Sequence, residues 1–325
     1  MTGAIPHGGR LAQAQAGHPL APRPWLDLST GINPHGWRRG RPAFSALTSL
    51  PDPADTAALE AAAAAAFGVA AEGLVAVAGA EAGLRLLPEL LGVRHAAVAS
   101  PTYGSHADAW RQAGAAVQAV ARADLFTTEA DALVVVNPNN PDGAATPGAD
   151  LVARAQGRWL IVDESFGEVA PALSAAALAR GRTIVLRSFG KFYGLAGVRL
   201  GFVLCDPGLA VRIRRRIGDW PIGADAIALG RAAYADAAWA ERTRARLASD
   251  AMRLDRRLRA AGFQIVGGTS LFRLTQCPDA AARARRLAGQ GVLVRTFDHD
   301  PCLTRFGLPP RSQWRRLETA LEMSR

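Results

Sequence analysis

Lysine, cysteine and tyrosine are scarce in this chain, and each scarcity excludes something. Lys191 is the only lysine among 38 basic residues. The three cysteines, Cys205, Cys277 and Cys302, are odd in number and lack metal-site spacing. Neither a disulfide framework nor a metal centre is therefore expected, and a reducing cytoplasm fits them best. No uncharged apolar run reaches the roughly 18 residues of a membrane span; the nearest, residues 61–80, is mostly alanine and glycine and is broken by Glu72. Residues 1–10 carry Pro6, His7 and two glycines where a signal peptide has an apolar core, so no export is expected. Helix-turn-helix spacing, zinc knuckles and aromatic RNA-binding signatures are also missing, so the net charge of +10 does not point to nucleic acid. Only residues 212–216, Arg-Ile-Arg-Arg-Arg, form a basic cluster, and a solvated helix face accounts for it.

What is present suits a globular protein. With 325 residues, 49% of them hydrophobic and 20% charged, the chain can build one large or two medium domains around a real core. Residues 1–45, rich in proline and glycine, read as an irregular arm. Residues 46–220 read as a large α/β domain. An Ala-rich helix is expected over 56–67. Strands at 74–78, 96–99, 132–136, 160–162 and 183–186 then alternate with helices near 80–91, 105–113, 148–156 and 173–180. That alternation predicts a mostly parallel sheet sandwiched by helices. Residues 221–325 read as a smaller α+β C-terminal domain. Its expected elements are a long helix at 235–261, strands at 263–266, 271–274 and 292–295, and helices at 279–289 and from 311.

In open α/β sheets, ligands gather at the carboxyl ends of strands, and four polar clusters fall there. Gly79-Ala80-Glu81 opens a helix after a strand, the arrangement by which backbone N–H groups receive a phosphate. Asn137-Pro138-Asn139-Asn140-Pro141-Asp142-Gly143 is a rigid turn presenting amides, and Asp163-Glu164 ends another strand. The segment from Ser188 to Gly201 places the sole lysine on a Gly-rich loop, flanked by Ser188 and Arg199. Arginine stays protonated, whereas a lysine amine can lose its proton and bond a carbonyl carbon. The single lysine is therefore a candidate for chemistry that arginine cannot perform. The Gly190-Lys191 pair does not make a P-loop, because Phe192 stands where Ser or Thr should follow and the upstream glycine is missing.

The ordered set Asn140, Asp163, Lys191 and Arg199 resembles the class I/II aminotransferase family of fold-type I pyridoxal-phosphate enzymes, over about residues 25–310. The resemblance implies pyridoxal 5'-phosphate as cofactor and a homodimer. It implies that Lys191 bonds the cofactor, Asp163 keeps its pyridinium nitrogen protonated, and Asn140 bonds the ring hydroxyl. Tyr103 would stack on the ring, while Ser188, Arg199 and the backbone of Gly79, Ala80 and Glu81 would hold the cofactor phosphate. Arg305, in Leu303-Thr304-Arg305-Phe306-Gly307, matches the family's arginine that binds the substrate α-carboxylate, and in a decarboxylase either the carboxylate or a phosphate is open to it. Two positions depart from the family pattern. Phe166 stands where many members have a tyrosine, and Leu50 stands before Pro51-Asp52-Pro53 where many supply a tyrosine to the neighbouring subunit.

The arm narrows the resemblance. His7-Gly8-Gly9, the stretch from Asp27 to Pro34 and the segment 303–309 with Trp314 are similar to one branch, the threonine-phosphate decarboxylases of cobalamin biosynthesis. That branch implies a phosphorylated amino acid as substrate, bound by His7, Gly8, Gly9, Gly31, Asn33, Asn140 and Arg305. Histidinol-phosphate-type transamination is the alternative that the same cofactor residues would serve.

Overall fold

The computed structural model describes residues 8–40 and 47–325, which separate into two compact units. The larger comprises residues 36–140 and 144–240; the smaller comprises 8–35, 141–143 and 241–325. The sequence reading placed its boundaries near residues 45 and 220. The segment after 220 belongs with the larger unit because Gly230 is pressed between Leu59 and Leu200, where a Cβ would lie 2.7 Å and 2.5 Å from their methyl carbons.

The larger unit is built on a seven-stranded sheet. Its strands are β2 (Leu74–Val77), β3 (His95–Ser100), β4 (Ala116–Ala121), β5 (Ala132–Val136), β6 (Trp159–Glu164), β7 (Thr183–Ser188) and β8 (Gly201–Leu204). The order is β2-β8-β7-β6-β5-β3-β4, with β8 antiparallel to both its neighbours and the other pairs parallel. All five residues of β5 are buried, as expected of a strand covered on both faces. On one face lie α3 (Ala80–Leu91), α4 (Ser105–Gln112) and α7 (Pro207–Ile217), with Leu84, Leu87, Trp110 and Ile213 packed against Val98, Ile161 and Leu186. On the other, Phe67 of α2 (Pro53–Phe67) and Tyr234 of α8 (Ala224–Tyr234) meet Phe202 edge-on. Phe202 and Val203 point to opposite faces because strand side chains alternate.

Local chemistry sets the helix ends. Asp52 accepts from Ala54 N at 2.7 Å to cap α2, Pro53 takes the first turn, and Gly68 closes it at φ 68°. The helix expected over 173–180 is replaced by short 3-10 turns at Pro171–Leu173 and Ala176–Leu178. Between them Ser174 Oγ and Ala175 N both donate to the buried Glu164 carboxylate at 2.6 Å, which holds the backbone out of a continuous helix. The basic cluster lies on α7 but does more than face solvent: Arg214 bonds Glu60 and Leu74 O at 2.7 Å, and Arg216 bonds Glu89 at 2.9 Å. Four strands escaped the sequence reading: β4, which is Ala-rich and largely exposed, the four-residue β8 and, in the smaller unit, those at Leu26–Asp27 and Asp300–Gly307.

The smaller unit holds the antiparallel sheet β12-β13-β10-β9, made from β9 (Gln264–Thr269), β10 (Phe272–Gln276), β12 (Arg295–Phe297) and β13 (Asp300–Gly307). The short β1 (Leu26–Asp27) pairs in parallel with β11 (Val292–Leu293). Its helices are α1 (Leu11–Gly17), α10 (Ala280–Gly289), α11 (Trp314–Met323) and the greater part of α9 (Ala237–Ala260). Among the described residues no helix is long and apolar enough to cross a membrane.

Candidate functional site

The expected cofactor residues all lie in the larger unit, at the ends of its strands or in the segments that follow them. Asp163 is the fifth residue of β6 and is buried. Its Oδ2 lies 2.8 Å from His106 Nε2, and its Oδ1 accepts from Ser165 N at 2.8 Å. Burial drives the carboxyl upward, but hydrogen bonding and charge from His106 and the bonds from Ser165 outweigh it and hold it below its ordinary value. Asp163 is thus a buried anion already held in place on one side. The sequence reading missed His106, whose signal was faint: a histidine in the first turn of α4, three residues after Tyr103.

Lys191 sits on the single turn α6 (Phe189–Phe192), directly after β7. It is half-buried, and its Nζ lies 5.9 Å from the centroid of the Phe166 ring. Phe166 therefore presents an apolar ring beside the lysine, at the position where a tyrosine would add a hydroxyl. Beneath the turn Phe189, Tyr193 and Trp239 stack, with Phe189–Tyr193 centroids at 4.7 Å and Tyr193–Trp239 at 5.4 Å. This aromatic floor fixes the backbone that carries Lys191.

Gly79 adopts φ 86°, and a Cβ there would come within 2.7 Å of Arg199 Nη2. A Cβ on Gly201 would approach Ala80 N to 2.3 Å. The start of α3, the Arg199 guanidinium and the end of β7 at Ser188 are thereby gathered into one corner. Arg199 itself is exposed and left-handed at φ 55°. Glu81 Oε1 accepts from Arg85 Nε at 2.7 Å, so this carboxylate is tied to its own helix. Tyr103, half-buried after β3, meets His106 edge-on at 6.2 Å; burial pushes its phenol upward.

Asn140 closes the turn after β5. Its two neighbouring asparagines serve the scaffold. Asn137 is buried and exchanges bonds with Thr146, accepting from its N at 2.8 Å and donating to its O at 2.9 Å. Asn139 accepts from Thr102 Oγ1 at 2.7 Å and donates to Pro101 O at 3.1 Å.

The expected substrate residues, Asn140 apart, lie in the smaller unit; His7 falls outside the described residues. Gly8 packs on Ser29, where a Cβ would come within 2.3 Å of the carbonyl oxygen, and Gly9 N donates to Ser29 Oγ at 2.8 Å. Ser29 O in turn accepts from Arg305 Nη2 at 2.8 Å. Gly31 and Asn33 are buried nearby in sequence, and Asn33 Oδ1 accepts from His35 N at 2.8 Å. Arg305 is buried over the Phe272 ring, and Arg295 stands opposite it across the β12–β13 ladder. Burial, with the positive charge of Arg295, pushes the Arg305 guanidinium down to about 10. Arg295 is pushed down as well, by burial and by Arg10, against the pull of Asp298. Ser29 and Arg295 were both missed as site candidates. The second reads as one polar residue in a short strand, with no local sign of its neighbour.

Comparison with known proteins was made against this geometry. The pattern of the family described as aminotransferase class I and II matches residues 23–321. A threonine-phosphate decarboxylase of Pseudomonas aeruginosa is 39% identical over 328 residues, covering 98% of this chain and 97% of that protein. A histidinol-phosphate aminotransferase of Mycobacterium bovis is 33% identical over 237 residues, covering 68% of this chain and 64% of the other. Among solved structures, the histidinol-phosphate aminotransferase of Sinorhizobium meliloti in complex with pyridoxal-5'-phosphate superposes with a TM-score of 0.82. It is 21% identical and covers 100% of this chain and 97% of that one. At that identity the likeness establishes the fold.

Proposed function

Because this chain belongs to the class I and II aminotransferase family, we propose that it is a pyridoxal-phosphate enzyme that decarboxylates O-phospho-L-threonine. The products are carbon dioxide and (R)-1-amino-2-propanol O-2-phosphate, a building block of cobalamin. The observation that carries this reading is the 39% identity to a threonine-phosphate decarboxylase along 98% of the chain, against 68% for the histidinol-phosphate aminotransferase relative.

The residues of the larger unit fit the cofactor. A side chain at Gly79 would fill the space beside Arg199, so glycine leaves an anion-sized cradle at the start of α3. Ser188, Arg199 and the backbone of Gly79, Ala80 and Glu81 would hold the phosphate there; Asp163 would meet the ring nitrogen, Asn140 the ring hydroxyl, Tyr103 the ring face, and Lys191 the aldehyde carbon. Bound in this way, pyridoxal phosphate supplies a sink for the electron pair left at Cα when carbon dioxide departs. Asp163, held ionised by His106, keeps a proton on the ring nitrogen. With the cofactor bound, Lys191 would be the group that holds a proton at its Nζ and returns it to the substrate Cα. Phe166, buried and without a polar atom, leaves that amine in a dry setting.

Substrate choice lies with the smaller unit. Arg305 and Arg295, each pushed down by burial and by a like charge, gain from a dianion more than from a singly charged group. We therefore assign the substrate phosphate to Arg305, with Arg295 and the Gly8–Gly9 backbone around it, and Gly31 and Asn33 beside it. A group that must lose its charge and leave is better held loosely, so a weakly gripped carboxylate suits this reaction. A homodimer in the cytoplasm completes the reading; Leu50, 67% exposed before Pro51, is the segment expected to meet the partner subunit.

The test is a product assay on purified protein with pyridoxal phosphate. O-phospho-L-threonine should yield carbon dioxide and aminopropanol phosphate, while histidinol phosphate with 2-oxoglutarate should yield no glutamate. The opposite pattern would replace decarboxylation by transamination.

A further inference from the structure

Arg122 follows the edge strand β4 and has no place among the residues that meet cofactor or substrate. Its guanidinium nevertheless reaches the base of the turn that carries Asn140. Nη1 donates to Val136 O, the last residue of β5, at 3.0 Å. Nη2 donates to Asn137 Oδ1 at 2.8 Å and to Thr146 Oγ1 at 3.2 Å. One side chain thus joins three points: the end of a central strand, the first residue of the turn and the segment to which the chain returns. Asn137 Oδ1 also accepts from Thr146 N, and Asn137 N donates to Asp163 O at 2.8 Å. The same knot therefore ties the Asn140 turn to the strand end that bears Asp163.

We infer that Arg122 is a positioning residue for the cofactor: it acts through Asn137 and Thr146 to fix Asn140 toward the cofactor ring hydroxyl. The inference rests on the reading that Asn140 meets that hydroxyl. The physical case is one of geometry and burial. Asn137 is 1% exposed, so its amide oxygen must be satisfied inside the protein, and Arg122 and Thr146 N do so together. A planar guanidinium can serve acceptors on separate segments at once, which a lysine ammonium on a flexible stem does less rigidly. Two prolines stiffen the turn, but they do not set its angle to the sheet; the bonds at its base do.

The experiment measures the visible absorbance of the bound cofactor, its pH midpoint and the affinity of the apoprotein for pyridoxal phosphate. Four proteins are compared with the parent: Arg122→Ala, Arg122→Lys, Asn140→Ala and the double variant Arg122→Ala/Asn140→Ala. Arg122→Ala should weaken cofactor binding about tenfold and move the pH midpoint in the same direction as Asn140→Ala, by less. Arg122→Lys should fall between it and the parent. In the Asn140→Ala background, removing Arg122 should move the midpoint no further. An unchanged spectrum and affinity in Arg122→Ala, with only a lower apoprotein melting temperature, would overturn the inference, as would full additivity in the double variant. Should Arg122→Ala fail to fold, Arg122→Lys and its double with Asn140→Ala carry the same criteria. If Asn140→Ala leaves the spectrum unchanged, the Asn140 reading and this inference fall together; a shift there with none in the Arg122 variants removes this inference alone.

Discussion

Two buried charge groups flank the strand end at Asp163, and they behave differently. Asp163 is ionised because His106 and Ser165 overcome its burial. Its folded value lies below its unfolded one, so its stabilisation is present above the ordinary value of 3.8 and is lost as pH falls through the folded value. His106→Leu removes the main opposing contribution and leaves burial. The acidic limb of both the activity profile and the unfolding curve should then move to higher pH, read by rate and by melting temperature from pH 3 to 7. On the other side of β6, Glu164 and Glu168 share one partner: Arg187 lies 2.8 Å from Glu164 and 3.2 Å from Glu168, all three buried. Burial raises the Glu168 carboxyl above its ordinary 4.5; Glu164 adds to the rise and Arg187 opposes it. Ionising Glu168 therefore costs stability as pH climbs above that value. Glu168→Gln should keep or raise the melting temperature at pH 8, whereas Glu164→Gln, which strips the main acceptor of Arg187, Ser174 and Ala175, should lose about 3 kcal/mol. Denaturant melts of the two variants would refute this if their order were reversed.

At the level of elements, the site is made from strand ends and the turns that follow them. Parallel strands all point their carboxyl ends the same way, so the residues after β3, β5, β6 and β7 gather at one edge of the sheet whatever their distance in sequence. The corner between β2 and α3 depends on a backbone form that side-chain-bearing residues rarely adopt. Gly79→Ala should cost about 1–2 kcal/mol of stability through its positive φ. It should cost cofactor affinity as well, because the new methyl displaces the Arg199 guanidinium from 2.7 Å away. Calorimetric binding of pyridoxal phosphate to a folded Gly79→Ala protein checks the second effect; an unchanged affinity would separate Arg199 from the cofactor corner.

At the scale of the whole molecule, Lys191 belongs to one compact unit and the pair Arg295 and Arg305 to the other. If Arg305 holds the phosphate, Arg305→Gln should lower kcat/KM for phosphothreonine by about a hundredfold. Turnover of unphosphorylated threonine should scarcely change. Equal losses for both substrates would return Arg305 to the carboxylate. Loading the larger unit with cofactor at a hundredfold excess over Kd should stabilise it by about 2.7 kcal/mol, seen as a higher melting temperature. Native mass should show a dimer.

The sequence by itself determined most of the alternation of strands and helices, the turns on which the polar clusters sit, and the presence of a single lysine side chain among them. These are local properties: period, capping and side-chain type are written within a few neighbouring residues. The pairings were decided only by tertiary structure. His106 and Asp163 are 57 residues apart, and Ser29 and Arg305 are 276 apart. Arg122 and Arg295 look in sequence like ordinary polar residues at strand edges. A buried charge takes whichever partner the packed sheet brings within about 3 Å, and no local pattern records that partner, because chain distance and spatial distance part company once strands align side by side.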